Sequence, residues 1–233
     1  MGTGHRITVG ARVEARVPNL VGREEELAAL LDLVDAVDEL PLIAVVSGEA
    51  GIGKTALWLA AADLAAARGF HVLSCRPSEA EAGLSFLALT DILGGVAADV
   101  LPELPPIQRQ ALEAALLLGE SEHRADPRAV AAAFLGALRL LAGERSLFLA
   151  VDDVQWLDAA SLSALRYAVA RLRDERVATV FAVRDDVPEW VRRGVAEDRL
   201  RTVRVRGLSL GATHELLRNR LEATFARPVL IKL

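Results

Sequence analysis

The chain has 233 residues, 52% hydrophobic and 25% charged, with a formal net charge of −5 and a pI near 5.5. This suits one sizeable soluble domain and excludes a disordered chain, and its acidity argues against a general nucleic-acid binder. The longest apolar run, Ala129 to Leu138 with Gly136 counted in, is too short to span a membrane. The single cysteine, Cys75, rules out an internal disulfide, and the four histidines lack zinc-ligand spacing.

Residues 1–19 lack periodicity, carry Arg6, Arg12, Glu14 and Arg16, and read as an extended lead-in with no secretory leader, so a cytoplasmic location is expected. The domain proper is expected over residues 20–233. Leu27, Leu30, Leu31, Val34 and Val37 recur at helical spacing from Glu24 to Val37, and Pro41 ends that helix. Leu42 to Val46 is a short β-branched run of the kind buried on both faces of a parallel sheet. An Ala/Leu-rich helix follows from Lys54 to Arg68, then a strand at His71–Cys75. The stretch from Pro77 to Gly143 reads as helical excursions broken by Gly94-Gly95, Pro102, Pro105 and Pro106. Its clearest helix, Pro127 to Ala142, is capped by Asp126. A buried strand at Leu147–Val151 precedes a helix from Ala159 to Arg173, capped by Asp158 and burying Leu162, Leu165, Val169 and Leu172. Val177 to Val183 is another core strand, Thr202 to Arg206 an edge strand, and Ala212 to Ala223 a last helix. Alternating strands and helices predict an α/β three-layer sandwich around a parallel sheet, in one domain.

The turn between the first core strand and its helix reads Gly48-Glu49-Ala50-Gly51-Ile52-Gly53-Lys54-Thr55-Ala56, a match to G-x-x-x-x-G-K-[ST]. Glycines let the backbone wrap a phosphate chain so that its N–H groups and the new helix's positive end face the oxygens. Lys54 then bridges β- and γ-phosphates, and the Thr55 hydroxyl ligates Mg²⁺. Lys54 and Lys232 are the chain's only lysines, so a lysine-requiring motif is improbable by accident. Asp152-Asp153 closes the Leu147–Val151 strand. The first carboxylate suits Mg²⁺, directly or through water, and the second suits an attacking water. Arg184 ends the Val177–Val183 strand, where it would face the crevice, with pairing to Asp185 or Asp186 as its ordinary alternative. Arg199, Arg201, Arg204 and Arg206 read as solubilising residues of an edge, and Trp156 as packing.

With these segments placed, the sequence resembles the ATPase module of the STAND class of AAA-like signalling ATPases, especially the module opening large LuxR-type (MalT-like) bacterial transcriptional regulators. The likeness is carried by Leu20-Val21-Gly22-Arg23-Glu24-Glu25-Glu26-Leu27, by Gly48 to Thr55, by Val151-Asp152-Asp153-Val154-Gln155-Trp156-Leu157-Asp158 and by Phe181-Ala182-Val183-Arg184. It implies a P-loop NTPase core with a strand inserted between the phosphate-loop strand and the Asp-Asp strand. Further implications are ATP or ADP as ligand, Val21 and Arg23 against the adenine, Asp152 on Mg²⁺, Asp153 on the catalytic water and Arg184 sensing the γ-phosphate. The implied role is a nucleotide-dependent switch with slow hydrolysis, a role in which nucleotide-dependent homo-oligomers are open. Family members continue into a lid, helical repeats and a DNA-binding helix-turn-helix. None of these is legible before Leu233, so DNA is a partner only through such downstream domains, and no membrane partner is expected. A small-molecule phosphotransferase on the same loop, or a hydrolysis-inactive ATP-binding scaffold, are the alternatives.

Overall fold

The computed structural model describes residues 20–37, 41–118, 125–184 and 186–221. The lead-in and the end of the last helix lie outside these residues. Among those described, five parallel strands make one sheet: β1 (Leu42–Ser47), β2 (His71–Cys75), β3 (Leu147–Val151), β4 (Val177–Val183) and β5 (Leu200–Arg204). Their order is β2-β3-β4-β1-β5, so one strand, β4, separates the phosphate-loop strand from the Asp-Asp strand as the resemblance implies.

Strand side chains alternate between faces, and the two cores divide accordingly. Phe148, Ala150, Val180 and Ala182 join β1 residues Ala44 and Val46 beneath helices α1 (Glu24–Asp35) and α2 (Lys54–Ala67). Leu149, Val151, Phe181 and Val183 face the other layer, built from α3 (Leu87–Leu93), α4 (Ala97–Val100), α5 (Pro106–Ala115), α6 (Pro127–Glu144), α7 (Ala159–Val169) and α8 (Glu189–Gly194). A last helix, α9 (Leu210–Leu221), follows β5. The result is the three-layer α/β sandwich expected of the alternating pattern.

Four local expectations are corrected. Helix α7 stops at Val169 rather than Arg173, because the Glu175 carboxylate accepts the backbone N–H groups of Arg173 and Asp174 and folds the chain into a turn. In that helix Leu165 is buried but Leu162 only partly so. The edge strand starts at Leu200, two residues early, since its register to β1 begins at Ile43↔Leu200. Arg199 is not a solvated edge residue: it is 7% exposed and its Nε donates to the Pro41 carbonyl at 2.8 Å. Burial, with Arg173 nearby, lowers its pKa from the usual arginine value.

Asp158 does more than cap α7. Its carboxylate accepts the Ser161 N–H at 2.8 Å, and also the backbone N–H groups of Phe86 at 2.9 Å and Ala88 at 3.3 Å across the start of α3. Phe86 sits in the left-handed region at φ 64°, a conformation costly for a bulky residue unless its surroundings hold it. One buried carboxylate thus pins two helix starts about 70 residues apart in sequence. Asp158→Ala removes a cap and strands the Phe86 and Ala88 donors. Urea unfolding is expected to show a loss of about 2–4 kcal/mol, with Asp158→Asn losing roughly half of that.

Candidate functional site

The phosphate loop runs from β1 into α2. Gly51 and Gly53 occupy left-handed φ of 77° and 104°, and Gly53 caps α2 without offering any side-chain hydrogen bond. The first N–H groups of the helix therefore face outward as uncapped donors. Gly48 is needed for a different reason: a Cβ there would lie 2.7 Å from the Val205 carbonyl oxygen. Lys54, 6% exposed, donates from Nζ to the Gly48 and Glu49 carbonyls, both at 2.8 Å. Its ammonium is held at the centre of the loop, which suits a charge meant to meet phosphate oxygens.

Thr55, in the first turn of α2, donates from Oγ1 to Asp152 Oδ2 at 2.8 Å. Asp152 is fully buried at the end of β3, and its Oδ1 accepts the Asp153 N–H at 2.9 Å. Arg76, directly after β2, brings its Nε to 3.4 Å from Asp152 Oδ2. Asp153 takes a left-handed φ of 42° and turns its side chain the other way, where Gln155 Nε2 donates to Oδ1 at 2.6 Å and Arg184 Nε stands 3.7 Å off. The Arg184 guanidinium also lies over the Trp156 ring, 5.2 Å from its centroid. So among the described residues Arg184 pairs with Asp153. Asp186 meets Arg204 instead at 3.5 Å, and Asp185 lies outside the described residues. Trp156, read from sequence as packing, is half-buried and presents a ring face to a cation.

The opening segment folds back on the loop. Arg23, 5% exposed, donates from one guanidinium nitrogen to Glu26 at 3.0 Å and from the other to the Ile52 carbonyl at 2.9 Å. Val21 is buried, and Gly22 at φ 69° lies so close to α9 that an added Cβ would stand 2.6 Å from the Ala212 Cβ. A cleft of about 590 Å³ opens beside the loop, lined by Gly48, Glu49, Ile52 and Arg184 on one side and by Arg204, Val205, Arg206 and Gly207 on the other. The second wall was missed in the sequence. Its only signal is the edge strand, and nothing local says that this edge lies beside β1. Cys75 takes no part in this cleft: burial, with carboxylates of Asp91, Asp158 and Asp152 around it, pushes its thiol pKa up and leaves it inert.

The loop, the paired aspartates and the strand order between them coincide with a match of the AAA ATPase domain family to residues 19–181, most of the chain. The chain belongs to the AAA ATPase domain family. It is a nucleotide-binding ATPase module of the P-loop type. In fold it is similar to Cdc6p from Pyrobaculum aerophilum, at 17% identity and a TM-score of 0.58, covering 95% of this chain and 55% of that one. The ORC2 protein of Aeropyrum pernix, solved as ADPNP–ADP complexes, matches at 18% identity and a TM-score of 0.56, over 88% and 53% of the two chains. A chain of the E. coli MS115-1 HORMA:CdnC:Trip13 complex matches at 14% identity and a TM-score of 0.58, over 95% and 76%. The module thus spans little more than half the length of the first two of these proteins. No curated protein matches the sequence significantly. Among the described residues no helix of the AAA module is long and apolar enough to cross a membrane.

Because Gly48 touches the Val205 carbonyl, Gly48→Ala must push the loop and the segment after β5 apart. A stability loss of about 1–3 kcal/mol is expected in thermal or denaturant unfolding, together with weaker nucleotide binding in a titration of the folded variant.

Proposed function

We propose that this AAA domain, taken as residues 20–233, binds ATP and Mg²⁺ over the Gly48–Ala56 turn. In this reading it acts as a slowly hydrolysing nucleotide switch in a bacterial signalling regulator of the STAND, LuxR-type kind. The observation that carries the reading is the 2.8 Å hydrogen bond between Thr55 and Asp152, residues 97 apart in the chain that supply adjacent hard oxygen donors beside the lysine-centred loop. Two protein oxygens suit Mg²⁺, which takes its remaining ligands from phosphates and water. Among the described residues no group of three His, Cys, Asp or Glu could hold a metal. When bound, Mg²⁺ supplies charge neutralisation to the phosphate oxygens.

In this reading Gly48, Glu49, Ala50, Gly51, Ile52, Gly53 and Ala56 present backbone N–H groups to the phosphates, and Lys54 adds a fixed positive charge. Val21 and Arg23 border the base. Asp153, held by Gln155, orients a water and accepts its proton. Arg184 reports the γ-phosphate: its salt bridge to Asp153 is long and its side chain 45% exposed, so it is free to exchange partners. A switch needs such a partner exchange, with contacts that differ between triphosphate and diphosphate states. The regulator setting is supported by the Val21-Gly22-Arg23-Glu24 and Asp152-to-Asp158 segments. DNA would then be contacted by downstream effector domains rather than by this acidic module, and nucleotide-dependent self-association is part of the same reading.

Lys54→Ala is expected to weaken ATP binding roughly 10- to 100-fold by calorimetry, the effect of losing charged hydrogen bonds. Unchanged affinity in a folded variant would sink the phosphate-loop assignment. Identification of co-purified nucleotide by mass spectrometry tests the ligand class directly. Asp153→Asn should keep Mg·ATP binding while slowing single-turnover hydrolysis by about 10²- to 10⁴-fold, since an amide does not accept the proton. If it hydrolyses ATP at the wild-type rate, the water-orienting role moves to another residue, with Glu49 next to test.

A further inference from the structure

Arg76 belongs to no motif, yet the sheet register aims it at the metal donor. Cys75 pairs with Val151 across the β2–β3 ladder, and the Asp152 N–H continues the pairing by donating to the Cys75 carbonyl at 3.1 Å. The next residues, Arg76 and Asp152, are therefore opposite each other. They project toward the α2 face with Ala150 and Phe148, since side chains two apart share a face. That is the face on which Thr55 sits, and Asp152 Oδ2 is approached both by Thr55 Oγ1 at 2.8 Å and by Arg76 Nε at 3.4 Å.

The two partners of that ion pair are not equivalent. The Asp152 side chain is 1% exposed, and a carboxylate so buried requires compensation; the Arg76 side chain is 62% exposed and has solvent as an alternative. Neutral donors supply part of the need, from Thr55 and the Asp153 N–H, and Arg76 adds a positive charge at the same carboxylate. A cation binding Thr55 and Asp152 has to share Oδ2 with a guanidinium or displace it. We propose that Arg76 is a resident counter-charge of Asp152 in the metal-free domain, and that Mg²⁺ occupancy requires Arg76 to swing out into solvent. Arg76 is thus a positioning residue that sets the Mg²⁺ requirement of nucleotide binding. The inference rests on the reading of Thr55 and Asp152 as metal donors.

The sign of the effect separates this role from ordinary contact or structural damage, both of which raise the metal requirement. The experiment titrates Mg²⁺ into the full chain with a fluorescent methylanthraniloyl-ATP and reads the midpoint of the metal-dependent change. Arg76→Gln should lower the midpoint roughly three- to tenfold, the scale of one unit charge acting on a divalent ion at the rim of a site. Arg76→Lys, which keeps the charge, should stay near wild type, and raising the salt should shrink the gap between wild type and Arg76→Gln. A midpoint that is unchanged or higher in Arg76→Gln overturns the proposal. So does a loss of metal-free nucleotide affinity in that variant, which would make Arg76 a phosphate ligand instead. Should Asp152→Asn leave the wild-type midpoint untouched, the metal-donor reading itself fails and takes the proposal with it.

Discussion

The buried carboxylate of Asp152 is the constraint around which the rest of the site is arranged. A charge removed from water at the end of a core strand is costly unless donors converge on it. The donors come from separate parts of the chain: the hydroxyl of Thr55 on α2, the adjoining Asp153 N–H, and Arg76 beyond β2. Satisfying them together requires the strand order that is found. With β4 between β1 and β3, the two outer strands lie about 10 Å apart, two strand spacings. Helix α2 leaves β1 and packs against β1, β4 and β3 alike, which carries its first turn across the inserted strand to the carboxylate.

The charges beside the loop alternate in sign. Each of the paired aspartates has its own arginine, Arg76 for Asp152 and Arg184 for Asp153, from the strands on either side of β3. Both arginine side chains are exposed to solvent, and both contacts are longer than an ideal ion pair, so they are weak compared with the hydrogen bonds of Lys54 and Thr55 within the loop. The site thus combines a rigid part, loop plus buried carboxylate, with two arginines whose pairing is easily exchanged.

The segment after β3 connects this chemistry to the helical layer. Within seven residues it contains Asp152, Asp153, Gln155, the Trp156 ring beneath Arg184, and Asp158, whose carboxylate holds the starts of both α3 and α7. Arg184 thus borders a short, hydrogen-bonded stretch whose far end is fastened to two helices. The Phe86 backbone, left-handed and held by Asp158, is the point where that fastening is under strain.

Local patterns in the sequence were enough for the fold class, four of the five strands at their observed ends or within one residue, and the place of the glycine-rich turn between β1 and α2. Those features depend on short-range physics: β-branched runs that only a sheet buries, glycines that only a tight turn needs, and Asp126 as a cap next to proline. The paired aspartates were legible for the same reason, as carboxylates at the end of an apolar run. Arg199 was misread because its partner, the Pro41 carbonyl, is 158 residues away, and an arginine's surroundings are not written in its neighbours. Arg76, the cleft wall at Val205–Gly207 and the second duty of Asp158 escaped for one shared reason. Each depends on which strands are adjacent and in what register, and pairing between parallel strands joins segments that long crossovers keep far apart in the chain. The sequence by itself determined that a loop of this kind would exist; the sheet order decided which charges meet it, because only the ladder brings β2, β3 and β4 to end side by side.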